Sequence, residues 1–303
     1  MAVTHRSPIV LRRRIAREIK GLRQQTGLSL EAVSELTSIT KSTLSRMEQG
    51  QTAPKVSILR QLLEAYEAPD AKREELERLA VEANRRGWWS HQYGGVEVPD
   101  WISTYVSLES EAQGVQIFEQ IVPGLLQTEE YARALISSGF VGESPETVED
   151  RVRLRMSRQE RIAGGLSIQV VMDEAALRRV VGGRRVMAEQ MRRLAQLAAR
   201  PLVTLQVLPF TRLATPVVGS PFAILSFADN DPAVVYLEAI EDALYVENPG
   251  QVERFRLLYE RLSRAALAPT RSAALFTTLA QRYSQDGEAG GSPDGEAGCS
   301  QDG

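Results

Sequence analysis

A short stretch near the N-terminus carries the side chains best suited to contact another molecule. In "SITKSTLSRMEQGQTAP", residues 38–54, hydroxyl and basic residues recur at helical spacing. Lys and Arg can donate hydrogen bonds to guanine, and Ser and Thr can contact bases or phosphates. The same pattern also suits an ordinary solvated helix in a small bundle. The candidate contact residues are Thr40, Lys41, Ser42, Thr43, Ser45 and Arg46.

The rare residues of the chain argue against most catalytic chemistry. The 303 residues include two His, His5 and His91, and one Cys, Cys299, which cannot supply a zinc site or a plausible Cys–His nucleophile. No phosphate-binding or dinucleotide-binding glycine motif occurs. Catalysis by carboxylates alone stays open, since Asp and Glu total 39, but no spacing singles out a pair. We therefore expect a protein without enzymatic activity and without a cofactor.

Charge is distributed unevenly along the chain. Residues 1–70 contain 11 Lys/Arg and 7 Asp/Glu, a net charge of 11 − 7 = +4, so the remaining residues carry −3 − 4 = −7. A basic N-terminal region on an acidic body indicates a polyanionic partner at one end. Arg13, in the basic first helix, is a candidate phosphate contact, because phosphate contacts supply much of the affinity of DNA-binding proteins.

The elements that must position these side chains are short helices. Leu11, Ile15, Ile19 and Leu22 fall at helical spacing, and Gly27 ends that helix. Ser29 and Thr40 can cap two further helices, joined by a turn of three or four residues. This is the helix-turn-helix arrangement, in which the second helix of the pair lies in the major groove. A fourth helix follows from Lys55 to Tyr66.

The remainder of the chain predicts a second, mixed domain. A charged helix from Ala71 to about Arg86 leads into a linker, and later stretches alternate between helical and strand patterns. The strands predicted at 167–172 and 203–208 flank a helix at 184–199, so these two strands should be parallel. The fold class is therefore multidomain: an all-α helix-turn-helix domain plus a mixed α/β domain with a small sheet. The predicted boundaries are 1–70 for the DNA-binding domain, 71–100 for the charged helix and linker, 101–285 for the α/β domain and 286–303 for a disordered tail. The predicted strands are 167–172, 203–208, 222–227 and 234–238.

The sequence resembles a known family over about residues 11–283. "LSLEAVSELTSITKSTLSRMEQGQTAP" is similar to the xenobiotic-response-element type of helix-turn-helix found in phage repressors. The rest is similar to the actinomycete family of antitoxin-like transcriptional regulators, in "IVPGLLQTEEYARAL", "RVRLRMSRQERI", "VVMDEAALRRVVGG", "LVTLQVLPF", "VVYLEA" and "FRLLYERLSRAAL". The resemblance implies a DNA-binding regulator whose C-terminal domain binds a small protein encoded nearby.

The resemblance also assigns roles to single residues. It places Lys41, Ser42 and Arg46 at base-contacting positions. It pairs Arg23 with Glu48, which would hold the recognition helix and leave Arg23 near a phosphate. Ser38 departs from the family, which usually has Gly in this turn, so Ser38 must adopt a strained conformation or a different turn type.

Two segments of the second domain are candidate partner contacts. The loop "PGLLQT" contributes Pro123, Gly124 and Gln127, although it could simply be a tight lead into a helix. A row of arginines at helical spacing could accept an acidic partner or could be a solvated face. Asp173-Glu174 follows a strand, where ligands often bind, but a helix cap by Asp173 is favoured. The arginine row consists of Arg151, Arg155 and Arg158.

The sequence thus favours a sequence-specific DNA-binding transcriptional regulator. We expect double-stranded DNA and a small acidic protein encoded nearby as partners, a homodimer, a cytoplasmic (nucleoid-associated) location and no membrane contact. Two alternatives stay open. One is an antitoxin-like module that neutralises a small partner, and the other is a small-molecule enzyme targeted to DNA.

Overall fold

The computed structural model describes most of the chain. It covers residues 8–83, 99–139, 144–212, 220–228, 231–239 and 242–288. Most of the predicted linker, including His91, lies outside the described residues, as do His5 and Cys299.

Five helices form the N-terminal part of the protein, as expected from the apolar spacing. Each presents apolar residues to one shared core, which contains Leu11 and Ile15 of the first helix and Leu44 of the third. Burial of these side chains supplies most of the stability of such short helices, which would be marginal in isolation. The helices are α1 Pro8–Thr26, α2 Leu30–Thr37, α3 Lys41–Glu48, α4 Val56–Ala65 and α5 Asp70–Ala83.

The charged helix α5 is part of this core. Its residues Leu76, Leu79, Ala80 and Ala83 are buried with the residues of α1 and α4. The sequence interpretation placed this helix with the linker, outside the helix-turn-helix domain, because most of its residues are charged. The apolar positions recur every three to four residues, and that stripe is enough to bury one face of the helix.

The turn between α2 and α3 contains a residue in an uncommon conformation. Ser38 has φ 57° and ψ 17°, which is the left-handed region. The strained alternative is therefore the one adopted, and Ser38 is the residue that reverses the chain between the two helices. A Cβ atom makes this region unfavourable for any residue other than Gly.

Replacing Ser38 with Gly is expected to stabilise the protein. The free energy of unfolding should rise by about 1 kcal/mol, because glycine removes the left-handed penalty of about 1–2 kcal/mol and loses somewhat more backbone entropy. Chemical denaturation checks this value. Ser34→Gly, inside α2, is the matched control and should lower stability by about 0.5 kcal/mol. Equal effects at the two positions would contradict the assignment of strain to Ser38.

Helices and strands alternate in the remainder of the described chain. The last described helix ends at Glu288 and so includes the first three residues of the predicted disordered tail, the rest of which lies outside the described residues. A single 3-10 turn occupies Gly124–Leu126. The elements are α6 Asp100–Glu111, β1 Gly114–Glu119, α7 Glu129–Gly139, α8 Pro145–Arg158, α9 Glu160–Ala163, β2 Ser167–Asp173, α10 Ala175–Arg178, α11 Arg184–Ala198, β3 Val203–Leu208, β4 Phe222–Ser226, β5 Val234–Glu238, β6 Ala243–Val246, α12 Pro249–Ala265 and α13 Pro269–Glu288.

The strands described here form one mixed sheet in the order β3-β2-β1-β4-β5-β6. The parallel pairing of β2 with β3 is confirmed, with Ile168 opposite Val203 and Asp173 opposite Leu208. Strands β5 and β6 are antiparallel, with Tyr236 opposite Tyr245. The sequence interpretation missed β1 and β6, because neither shows a strict alternation of apolar and polar residues.

The contacts divide the chain into two compact units whose boundaries differ from the predicted domains. The first unit contains the described residues up to Val115 together with Ile224–Val252. The second contains those from Gln116 to Ala223 and from Glu253 onward. Residues Ile224–Val252 pack with the N-terminal helices and α6, so these units do not follow the predicted boundaries, which stay a prediction.

Candidate nucleic-acid interface

Helix α3 has one buried face and one polar face. Leu44 and Met47 are buried in the core of the first unit, with 1% and 4% of their surface exposed. Lys41, Ser42 and Arg46 are exposed on the other side. The structure thus brings the three residues expected to contact bases together on one accessible surface.

The N-terminus of α3 is closed by a hydroxyl cap. Thr40 Oγ1 accepts a hydrogen bond from the backbone N–H of Thr43 at 3.3 Å. The same hydroxyl lies 2.9 Å from the Thr43 hydroxyl and 3.2 Å from that of Ser42. Thr40 and Thr43 therefore have a structural role in starting the helix, and both remain close to the surface that Lys41 begins.

The two basic side chains of the polar face differ in their surroundings. Lys41 forms an exposed ion pair with Glu31 of α2, and this contact holds the pKa of Glu31 below its usual value. Exposed pairs contribute little to stability, so a phosphate or a base can replace Glu31 at small cost. Arg46 makes a long contact of 3.4 Å from its Nε to the carbonyl of Ser42.

Gln49 is a further polar residue on this face, and the sequence interpretation did not include it. Its Nε2 donates to Ser45 Oγ at 3.0 Å, and its Oε1 accepts from Gln51 at 3.0 Å. Gln49 lies seven residues after Ser42, two helical turns along the same side. Helical spacing from Ser42 could have identified it, and a Gln side chain can bind adenine through two hydrogen bonds.

A two-point ion pair holds α3 to α1, as the resemblance predicted. Arg23 donates from Nε to Glu48 Oε1 at 2.6 Å and from an Nη to Oε2 at 2.9 Å. Its other Nη donates to the carbonyl of Leu28 at 2.8 Å. The side chains are only 14% and 7% exposed, so this is a shielded pair of planar groups with little freedom.

Tyr66 lies in the same polar environment beneath α3. Burial and the negative charge of Glu48 together raise the pKa of Tyr66 to about 12, although Arg23 opposes the change. The phenol is therefore neutral at physiological pH.

Arg23 has each of its three nitrogens engaged inside the protein and acts as a structural clamp. Its expected proximity to a phosphate stays a prediction.

Arg13 is not on the surface formed by α3. Its side chain is 14% exposed, and its Nε lies 2.9 Å from Glu247 Oε1, near enough for an ion pair although the N–H is poorly aligned for a hydrogen bond. Burial lowers the pKa of Arg13, and the nearby Glu247 opposes that change. A phosphate contact by Arg13, as expected from the sequence, would require Arg13 to leave this carboxylate.

In the second unit, the PGLLQT loop and the arginine row contact each other. Arg155 donates from Nη1 to Gln127 Oε1 at 2.8 Å, and its side chain packs against Gly124. Arg151 and Arg158 are half-buried, so the row is not the solvated face considered as an alternative.

The loop itself is largely internal, which does not fit the exposed partner surface expected from the sequence. Pro123 is buried and Gln127 is only 2% exposed. Gln127 and Gln159 donate to loop carbonyls, and the fully buried Gln190 donates to the Leu126 carbonyl at 2.9 Å and accepts from the Thr128 N–H at 2.7 Å. These glutamines satisfy backbone groups that would otherwise be buried without partners.

Asp173 lies just before α10, but the N-cap position of that helix is Glu174, which makes no side-chain cap hydrogen bond. Asp173 Oδ1 accepts a hydrogen bond from the N–H of Ala175 at 2.8 Å. Glu174 accepts from the N–H of Phe210 and pairs with Arg178, and although burial opposes it, these contacts leave the pKa of Glu174 below its usual value. Both carboxylates thus serve the local structure at the ends of β2 and β3.

Neither a metal-ligand cluster nor a membrane-spanning helix occurs in the described ranges. No three His, Cys, Asp or Glu side chains come together there as a metal site would require. No helix in the described part of the chain has the length and apolar character needed to cross a bilayer.

Two protein-family models match the sequence. Residues 14–76 match the model of a helix-turn-helix domain, which supports a DNA-binding regulator and confirms the predicted fold class. Residues 102–278 match a second model, described as a domain of unknown function (DUF5753), over more than half of the chain. No curated protein and no solved structure matched the sequence. The chain therefore belongs to the family defined by this domain of unknown function, and it carries a helix-turn-helix domain on its N-terminal side.

Proposed function

We propose that this protein is a transcriptional regulator that binds a specific double-stranded DNA sequence through α3. The observation that carries the proposal is the exposed row of Lys41, Ser42 and Arg46 on a helix held by the Arg23–Glu48 clamp. Because the clamp holds α3 against α1, the helix loses little backbone freedom when it enters the major groove. Arg and Lys would donate to guanine, and Ser42 would contact a base or a phosphate.

The proposal extends to symmetry. A single helix-turn-helix domain contacts few base pairs, so we propose a homodimer that binds an inverted repeat. Its half-sites should lie about one helical turn, roughly 34–36 Å, apart. A cytoplasmic, nucleoid-associated location follows from the same proposal. A non-catalytic role stays a prediction that rests on the scarcity of His and Cys and the absence of catalytic motifs in the sequence. Binding of a small protein partner by the domain 101–285 stays a prediction that rests on the sequence resemblance.

Selection from a library of random duplexes tests the proposal. The full-length protein should enrich one inverted repeat, and its affinity for that repeat should exceed its affinity for random DNA by about 10³-fold or more. Light scattering of the complex should give two protein chains per duplex. Binding of all sequences with equal affinity would contradict the proposed sequence-specific role, and one chain per duplex would contradict the dimer.

A further inference from the structure

The segment Ile224–Val252, here called the acidic segment, has an extreme composition. It contains six Asp or Glu residues and no Lys or Arg, a net charge of −6. Helix α1 has the opposite character. It contains six Lys or Arg residues and one Glu, a net charge of +5. The acids of the segment are Asp229, Asp231, Glu238, Glu241, Asp242 and Glu247.

These opposite charges meet within the first unit. Arg13 pairs with Glu247 at 2.9 Å, and Arg17 pairs with Asp231. The guanidinium carbon of Arg13 also lies 5.7 Å from the centre of the Phe227 ring, within the range of a cation–π contact. The acidic segment therefore holds two arginines of α1 by three separate contacts.

Helix α1 has a second buried side, separate from the one that packs into the core shared by α1–α5. Val10 and Ala16 are 9% and 4% exposed, yet neither belongs to the core shared by α1–α5. Helix α6 packs against α1 in the same unit. One side of α1 thus faces the core that positions α3, and another side is covered by other parts of the first unit.

The contact lies next to the end of the candidate DNA-binding helix. Gly50 is the second residue after α3. A Cβ atom placed on Gly50 would lie 3.6 Å from Arg13 and 3.7 Å from the Ala16 side chain. A helix in the major groove lies between two phosphate backbones, so cations beside its ends are near phosphates. While Arg13 and Arg17 are paired with carboxylates, they are not available to bind phosphates.

We propose that the acidic segment is an intramolecular mimic of a phosphate backbone, which occupies Arg13 and Arg17 of α1 and lowers the affinity of the protein for DNA. This inference rests on the proposed function. Each pair has one shielded and one more exposed partner: Arg17 is 39% and Asp231 14% exposed, whereas Arg13 is 14% and Glu247 48% exposed. Water thus reaches one side of both pairs, and a phosphate can compete for each arginine.

The test uses the full-length protein with Asp231→Asn and Glu247→Gln together. Both changes keep the size of the side chain and remove its charge. The double variant should bind duplex DNA about tenfold more tightly at low salt, and the slope of log affinity against log salt should steepen by about 1–2, since each phosphate contact contributes about 0.9. If the double variant does not fold, Asp231→Asn alone should give about a threefold gain and a slope change of about 1.

Two matched variants separate release of the arginines from a simple change in net charge. Glu189→Gln with Glu260→Gln removes the same charge from exposed pairs of the second unit and should leave affinity unchanged. Arg13→Gln with Arg17→Gln, added to the double variant, should abolish the gain. An equal gain in the Glu189/Glu260 control, or a gain that survives loss of both arginines, would overturn the inference.

The outcomes also separate this inference from the proposed function. Wild-type protein that binds DNA with the same affinity as the double variant leaves the proposed function intact and overturns the mimic. DNA binding by the double variant alone supports both. Failure of both proteins to bind any duplex overturns both.

Discussion

Replacing Glu48 with alanine is expected to be among the most destabilising single changes in the N-terminal helices. Arg23 would keep its bond to the Leu28 carbonyl but would lose both bonds to the carboxylate. Removing one partner of a buried pair costs about 3–5 kcal/mol, and we expect about 2–4 kcal/mol here because water still reaches part of Arg23. Urea denaturation followed by circular dichroism measures the change in the free energy of unfolding.

Two controls define what the Glu48 result means. Glu48→Gln keeps one acceptor and the size of the side chain, so its cost should be clearly smaller. Glu77→Ala removes the partner of Arg60 in an exposed pair, with 65% of the Arg60 side chain exposed, and should change stability very little. A Glu48→Ala protein as stable as the Glu77→Ala protein would show that the Arg23–Glu48 pair does not hold α3.

Replacing Arg46 with alanine is expected to remove sequence preference. A good bidentate contact from arginine to guanine provides about 1–3 kcal/mol of discrimination, so affinity for the selected operator should fall about 10–100-fold. Affinity for random DNA should fall much less, because non-specific binding depends on total phosphate neutralisation. Fluorescence anisotropy with both duplexes gives the specificity ratio.

The matched control for Arg46 is Arg60→Ala. Arg60 is also exposed, but it lies on α4 and is paired with Glu77, so its loss should leave the ratio of operator to random binding unchanged. Equal loss of affinity for both duplexes in the Arg46 variant would contradict a base contact and would indicate a phosphate contact. Folding of each variant is checked by its denaturation midpoint.

Local patterns were sufficient to predict the DNA-binding helices. The helical repeat places Leu44 and Met47 on one side of α3 and Lys41, Ser42 and Arg46 on the other, whatever the rest of the chain does. The caps at Ser29 and Thr40 also follow from neighbouring residues, since each hydroxyl needs only a backbone N–H three residues ahead.

Contacts between residues distant in sequence were harder to predict. The Arg23–Glu48 pair came from resemblance to a family, since a charge pattern alone does not show which two helices meet. Strands β1 and β6 were missed for a related reason. Neither shows a strict alternation of apolar and polar residues, and pairing in the sheet decides its conformation.

The PGLLQT loop shows why polar residues in sequence do not identify a surface. Gln127 and Gln190 are polar, and polar residues are usually exposed. The tertiary structure buries both, because their amides pair with loop carbonyls and backbone N–H groups. Only packing decides whether such a residue faces water or the interior.

The sequence by itself determined that a basic helix-turn-helix precedes an acidic body, because composition and helical period are properties of the chain. It also determined which side of α3 is available for DNA. Only the tertiary structure decided where the acidic charge lies, since Glu247 is more than two hundred residues from Arg13 in sequence and reaches it when β4–β6 pack in the first unit. Coulomb attraction depends on distance in space, which is set by the fold.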